Sequence, residues 1–148
     1  MAETNNAEVK TNELSAEELA QQYTGSLVEK ALEAERIYAT YSQEQVDKIV
    51  AAMALAGSEA SLELAKEAHE ETGRGVVEDK DTKNHFATEY VYERIKNEKT
   101  VGIIGEDKVT GSIQIAAPLG VLAGIVPTTN PTSTTMFKIL VALKTRNA

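Results

Sequence analysis

The residues best placed to do chemistry stand in one short stretch, "IVPTTNPTSTTMFK", from Ile125 to Lys138. An apolar run ends at Pro127, then Thr128, Thr129 and Asn130 follow, and Pro131 opens a segment with helical periodicity. Hydroxyl and amide groups at the junction of an apolar strand and a helix suit an anion or a polarised oxygen. Helix N-termini expose free amides there, and ligands of α/β sheets gather at strand ends. Asn130 has two readings. As an N-cap with proline in the first turn, it simply starts the helix. As an amide donor, it stabilises an oxyanion. Lys138 is a polar interruption in "MFKILVAL", and the plain reading is a lysine reaching from a helix face to solvent.

Other chemistries are poorly supplied. The 148 residues contain no cysteine, which excludes disulfides, a thiolate metal site and a cysteine nucleophile from this polypeptide. His69 and His85 are too far apart to form a metal pair by spacing, so no metal site is predicted. Glu70 and Glu71 read as a solvated helix face. No GxGxxG occurs, since "GVLAG" has the wrong spacing. The net charge of -8 argues against nucleic-acid binding. It is unevenly spread: all 23 acidic residues lie at or before Asp107, whereas from Lys108 onward there are four basic residues and no acids. An anionic ligand would favour that end, although buried strands carry few charges of any kind. No long apolar span or signal peptide is evident, so the expected location is cytoplasmic, without membrane association.

The elements that must hold the stretch can be read from periodicity. Residues 1–12 read as a flexible tail. Ser15 with Glu18 is a capping box, and Leu27, Ala31, Ala34, Tyr38 and Tyr41 continue at helical spacing. Ser42 with Gln45 repeats the box and starts a second helix with Val46, Ile49, Val50 and Met53 inward and Gly57 as its stop. Ser58 is expected to open a third, with Leu62, Leu64, Ala65 and Ala68, closing at Gly73. A fourth covers Thr82 to Lys96, with Phe86, Tyr90 and Val91 as apolar contacts. Helices thus occupy 15–97. Residues 101–104 and 112–116 read as a strand pair joined by "GEDKVTG", and "GVLAGIVP" (Gly120–Pro127) as a strand buried on both faces. A helix to Arg146 completes one β-α unit over 120–146, with Lys144 and Arg146 answering its C-terminal dipole. One such unit is not a complete sheet, and the chain reads as part of something larger.

Two blocks carry a family resemblance. "APLGVLAGIVPTTNPTSTTMFKILVALKTRN" resembles the start of the nucleotide-binding domain of the aldehyde dehydrogenase superfamily. "HEETGRGVVEDKDTKNHFATEYVYE", His69 to Glu93, is similar to a block of the CoA-acylating acetaldehyde dehydrogenases found in bacterial bifunctional aldehyde–alcohol dehydrogenases. The resemblance implies an α/β, aldehyde-dehydrogenase-like fold in truncated form, with residues 13–148 as a partial nucleotide-binding domain. It implies NAD as cofactor, CoA as co-substrate, aldehyde or acyl-CoA as small-molecule partner, and a homo-oligomer in the complete enzyme. In this family a cysteine attacks the aldehyde, hydride passes to the nicotinamide, and the thioester is transferred to CoA. With no cysteine here, the chain alone is expected to be inactive.

The resemblance also assigns roles. Contacts to the nicotinamide side carry over to Ile125, Val126, Pro127 and Thr128. An ungapped match puts Thr129 at the position of the superfamily's oxyanion asparagine, with Asn130 one residue later, and Asn130 is the favoured donor. Lys138 falls on a superfamily lysine near the active site that helps orient proton transfers, and Asn147 on a superfamily asparagine. Two other functions stand beside this one: a non-catalytic assembly module acting through the strand pair and helices, and a small stand-alone nucleotide-binding protein.

Overall fold

The computed structural model describes residues 14–148, so the predicted tail of residues 1–12 lies outside the described residues. Helix α1 runs Ala16–Tyr38, α2 Gln43–Glu59, α3 Ser61–Thr72 and α4 Val77–His85. A π-helical turn, Phe86–Tyr90, joins α4 to α5, Val91–Ile95. Strands β1, Gly102–Asp107, and β2, Ser112–Ala116, pair antiparallel, and α6 spans Pro131–Lys144.

Both predicted capping boxes are present. Ser15 and Ser42 each accept from the backbone three residues on, and the side chains of Glu18 and Gln45 return to the cap amides. Gly73 ends α3 in the left-handed conformation at φ 63. The core is small: Val46, Val50 and Ala54 of α2 pack with Leu140 of α6, surrounded by Tyr38, Tyr41, Val91, Ile95 and Leu143. Burying each of the larger aliphatic side chains contributes roughly 1.5–3 kcal/mol. Helix α1 buries no residue. It is held at its C-terminal end, where the Tyr38 hydroxyl donates to the Leu143 carbonyl at 2.9 Å and Arg146 donates to the Ala39 carbonyl at 2.5 Å.

Several boundaries differ from the sequence reading, each for a packing reason. Gly57 is not a stop. It lies inside α2, where a Cβ would meet Thr88 Cγ2 at 2.7 Å and Met136 Sδ at 3.3 Å. Its missing side chain lets α2, the π-helical turn and α6 converge. Ser58 does not open α3; its hydroxyl donates to Glu89 at 2.5 Å, and α3 begins at Ser61 without a side-chain cap. The fourth helix starts at Val77, five residues before its expected start, with Glu78 and Asp79 in its first turn favoured by the helix dipole. Phe86 and Tyr90 face outward, stacked at 5.8 Å, while Asn84, Ala87 and Thr88 face inward. Small and hydrogen-bonded side chains fit that close helix contact, and aromatic rings do not.

Gly57→Ala is expected to destabilise the protein by about 1–3 kcal/mol, because overpacking outweighs the better helix propensity. Gly25→Ala, in α1 with nothing within 4 Å of its Cβ, should instead stabilise by about 1 kcal/mol. Thermal or urea melts of the two variants test this; equal shifts of one sign would show that Gly57 has no packing role.

The strand pair carries a bulge between Ile103 and Gly105. Its turn is shorter than "GEDKVTG", since β1 continues to Asp107. The Asp107 carboxylate accepts from the Val109 amide at 2.8 Å and from the Thr110 hydroxyl at 2.7 Å. Those bonds, the Thr110 hydroxyl first, hold its carboxyl below the usual range. A depressed folded pKa gives stability that is full above the unfolded value, about 3.9, and is lost as pH falls through the folded value. Acidification over that window should move the Val109 and Thr110 amide resonances together, and Asp107→Asn should abolish the titration. Resonances that stay fixed would show that the turn does not depend on the carboxylate.

The run Gly120–Pro127 is not a doubly buried strand. Ile125 is 85% exposed, and Leu122 and Val126 are also exposed. Its main-chain pairing is with a single residue: the Leu122 amide donates to Ala148 at 2.7 Å and the Ala148 amide to Gly120 at 3.1 Å. That exchange about Val121 is the pattern of a parallel ladder, with α6 as the crossover. A strand is a property of its neighbours, and one pairing residue does not extend the ladder through the run.

Candidate functional site

The polar turn lies where the extended run meets α6. Pro131 occupies the first turn of α6 and Asn130 the N-cap position, with φ -138 and ψ 61. The Asn130 side chain makes no capping hydrogen bond. Its Oδ1 accepts from Lys83 Nζ at 3.1 Å, and its Nδ2 approaches Thr129 Oγ1 at 3.4 Å. The plain reading of Asn130 as a side-chain cap is therefore corrected: a lysine from another helix has captured the oxygen that a cap would use.

Helix α4 holds this turn at three points. Lys80, 4% exposed, donates to the Thr129 carbonyl at 3.1 Å. Lys83 holds Asn130. Asn84, fully buried, accepts from Thr132 Oγ1 at 2.7 Å and donates to the Ser61 carbonyl at 2.9 Å. Residues i, i+3 and i+4 of a helix share one face, so one side of α4 grips the turn from Thr129 to Thr132. The Thr88 hydroxyl completes the network by donating to the Asn84 carbonyl at 2.8 Å. Sequence reasoning missed Lys80, Lys83 and Asn84. Their spacing in "KDTKN" marks a shared face, but nothing in it says what that face meets.

The remaining predicted residues are also placed. Lys138 does not extend into solvent; its ammonium donates to the Ile125 carbonyl and folds back on the run that precedes the turn. Pro127 and Thr128 lie exposed between Val126 and Thr129. Lys138, Val126, Leu122 and Phe137 line an open apolar cleft of about 480 Å³ beside α6. A second cleft of similar volume lies by Lys83, Phe86, Asn130 and Phe137. Asn147, 3% exposed, anchors the start of the run by accepting from the amides of Leu119 at 2.6 Å and Gly120 at 2.9 Å.

Lys144 stands in the last turn of α6, where the dipole favours a cation, and Arg146 lies just beyond the helix end. Lys144 is 2% exposed and pairs with Asp47 at 2.6 Å, because a buried ammonium requires a carboxylate or carbonyl partner. Arg146, at φ 59, bridges the carbonyls of Ala39 and Ala116. His85 lies between Glu89, at 2.8 Å, and Asp81, at 3.7 Å. Hydrogen bonds from Ser58 and then His85 hold the Glu89 carboxyl below its usual range.

No family model matches the chain. It is 58% identical over 123 residues to the bifunctional aldehyde-alcohol dehydrogenase AdhE of Escherichia coli, a match covering 83% of this chain and 14% of that protein. It is 56% identical over 115 residues to an aldehyde-alcohol dehydrogenase of Clostridium acetobutylicum, covering 78% of this chain and 13% of the relative. The crystal structure of an acetylating aldehyde dehydrogenase from Geobacillus thermoglucosidasius superposes with a TM-score of 0.86 at 48% identity, over 88% of this chain and 29% of that one. The chain belongs to the acylating aldehyde dehydrogenase family. It spans about one seventh of the length of the curated aldehyde-alcohol dehydrogenases it matches. Within that family, this segment contributes a helical layer, a strand hairpin and the turn at the start of α6. The aldehyde-dehydrogenase-like α/β fold class expected from the resemblance, in truncated form, is thereby shown.

Proposed function

We propose that this segment works within an NAD-dependent acylating aldehyde dehydrogenase that interconverts an aldehyde plus CoA with an acyl-CoA, acetaldehyde and acetyl-CoA being the pair. The observation that supports this best is the 58% identity with an aldehyde-alcohol dehydrogenase. In this proposal, residues 13–148 form part of the nucleotide-binding domain, and Asn130 donates its amide to the oxyanion formed when a thiolate adds to the aldehyde. Thr129 lies beside it, and Lys138 orients proton transfer from the other side of the turn. The chain has no cysteine, so the attacking thiolate comes from elsewhere in the enzyme.

Ile125, Val126, Pro127 and Thr128 would form one wall of the nicotinamide site. They fit that use: Ile125 and Val126 present exposed apolar side chains, and no acidic residue occurs from Lys108 onward to repel a dinucleotide. When bound, NAD supplies the hydride acceptor. The complete enzyme is proposed to be a cytoplasmic homo-oligomer with no nucleic-acid or membrane partner. Among the described residues no helix is long and apolar enough to cross a membrane. NADH formation from acetaldehyde by the complete enzyme is the direct test. It is expected to require CoA and to yield acetyl-CoA; NADH formation without CoA, yielding acetate, would overturn the acylating reading.

A second reading, a non-catalytic assembly module, draws support from the hairpin. Ile113, Ile115 and Val109 project from it with exposures of 56, 68 and 95%. A charged residue at Ile115 should then dissociate the oligomer without altering the Asn130 turn, a change visible by light scattering.

A further inference from the structure

The three-point grip of α4 on the turn has a chemical consequence for Asn130. We infer that Lys83 is a positioning residue that sets the direction of the Asn130 amide, so that its NH2 end, not its oxygen, faces the reacting oxygen. The inference rests on the proposal that Asn130 is the oxyanion donor.

An asparagine amide has one accepting end and one donating end, nearly identical in shape. Only the NH2 end stabilises a developing oxyanion; a flipped amide would present a lone pair and repel it. Something must therefore distinguish the two ends. An ammonium can only donate, so Lys83 Nζ at 3.1 Å can engage only Oδ1. The opposite end is left as donor, and its present contact with Thr129 Oγ1 is a long 3.4 Å. That weak bond is easily exchanged for a charged acceptor. The hydrogen bond from Lys83 is charge-assisted, about twice as strong as a neutral one. It also draws electron density from the amide oxygen and makes the N–H a better donor.

The backbone on either side is fixed independently. Lys80 holds the Thr129 carbonyl, and the buried Asn84 holds the Thr132 hydroxyl. With both flanks locked, the side-chain rotation of Asn130 is the remaining freedom, and Lys83 is the group that restricts it. Lys83 itself is exposed, so its replacement removes little packing.

A double-mutant cycle in the complete enzyme tests the inference. Lys83→Met is expected to lower kcat about tenfold, a fraction of the effect of losing an oxyanion donor outright, with KM for NAD+ unchanged. Lys83→Arg, which also donates only, should restore most of the rate. In an Asn130→Ala background, Lys83→Met should cause no further loss, because the amide it orients is gone. The melting temperature of Lys83→Met should match that of the wild type. A tenfold loss that persists in the Asn130→Ala background, or wild-type turnover in Lys83→Met, would overturn the positioning role alone. Wild-type turnover in Asn130→Ala would overturn the oxyanion assignment and the role of Lys83 with it.

Discussion

Replacing Asn130 with alanine in the complete enzyme is expected to reduce kcat by on the order of a hundredfold or more, while NAD+ binding changes little. The NH2 end of the Asn130 side chain makes only a long contact, 3.4 Å to Thr129 Oγ1, so it is available for chemistry. In the proposed oxyanion role, its loss removes a donor that matters most when negative charge develops on the aldehyde oxygen. The effect therefore falls on turnover and kcat/KM together rather than on KM alone. Thr129→Ala is the informative neighbour. The Thr129 backbone is held by Lys80, and its hydroxyl makes one long contact, to Asn130 Nδ2. That variant should lose less than Asn130→Ala. Steady-state kinetics with acetaldehyde and CoA distinguish them: an impaired Thr129→Ala beside a fully active Asn130→Ala would transfer the oxyanion role to Thr129.

The second large effect is a complete one. The 148 residues, purified alone, are expected to show no enzymatic oxidation of NADH by acetyl-CoA. The chain supplies an amide, two lysines and an apolar wall, but no thiolate. Among the described residues, Ser58 is the one hydroxyl within hydrogen-bond reach of a histidine ring, and it is not expected to replace a thiolate. Its proton is committed to Glu89 at 2.5 Å, with His85 Nδ1 at 3.4 Å and itself bonded to the same carboxylate. Exposed apolar residues on α1 (Leu19, Leu27, Leu32) and along the 122–126 run should also favour self-association. Following NADH absorbance with acetyl-CoA, together with light scattering, examines both expectations. Turnover that survives repurification and tracks the protein would mean that another group in this chain forms the acyl intermediate.

Much of the architecture was legible in the sequence because it is locally encoded. The capping boxes at Ser15 and Ser42, the left-handed Gly73 and the proline that opens α6 each follow from interactions spanning a few residues. The family was legible as well, since the blocks 69–93 and 117–147 carry it in contiguous residues. The absence of cysteine fixed what this chain cannot do by nucleophilic catalysis. Tertiary structure decided everything that depends on a partner distant in sequence. Gly57 looked like a helix stop because glycine usually ends helices, yet here Thr88 and Met136 occupy the space its side chain would fill. Phe86 and Tyr90 looked like core because they are aromatic, yet the contact they would enter is too close for rings. Lys144 sits in the last turn of α6 as its sequence position implied, but only the fold supplied its counter-charge, Asp47 from α2. The clearest case is Asn130. Its sequence position allowed either a cap or a donor, and Lys83, 47 residues away, settled the cap question by taking the oxygen a cap needs. Periodicity and propensity describe a chain's relation to itself over a few turns, whereas the direction of an amide depends on whichever side chain the fold brings beside it.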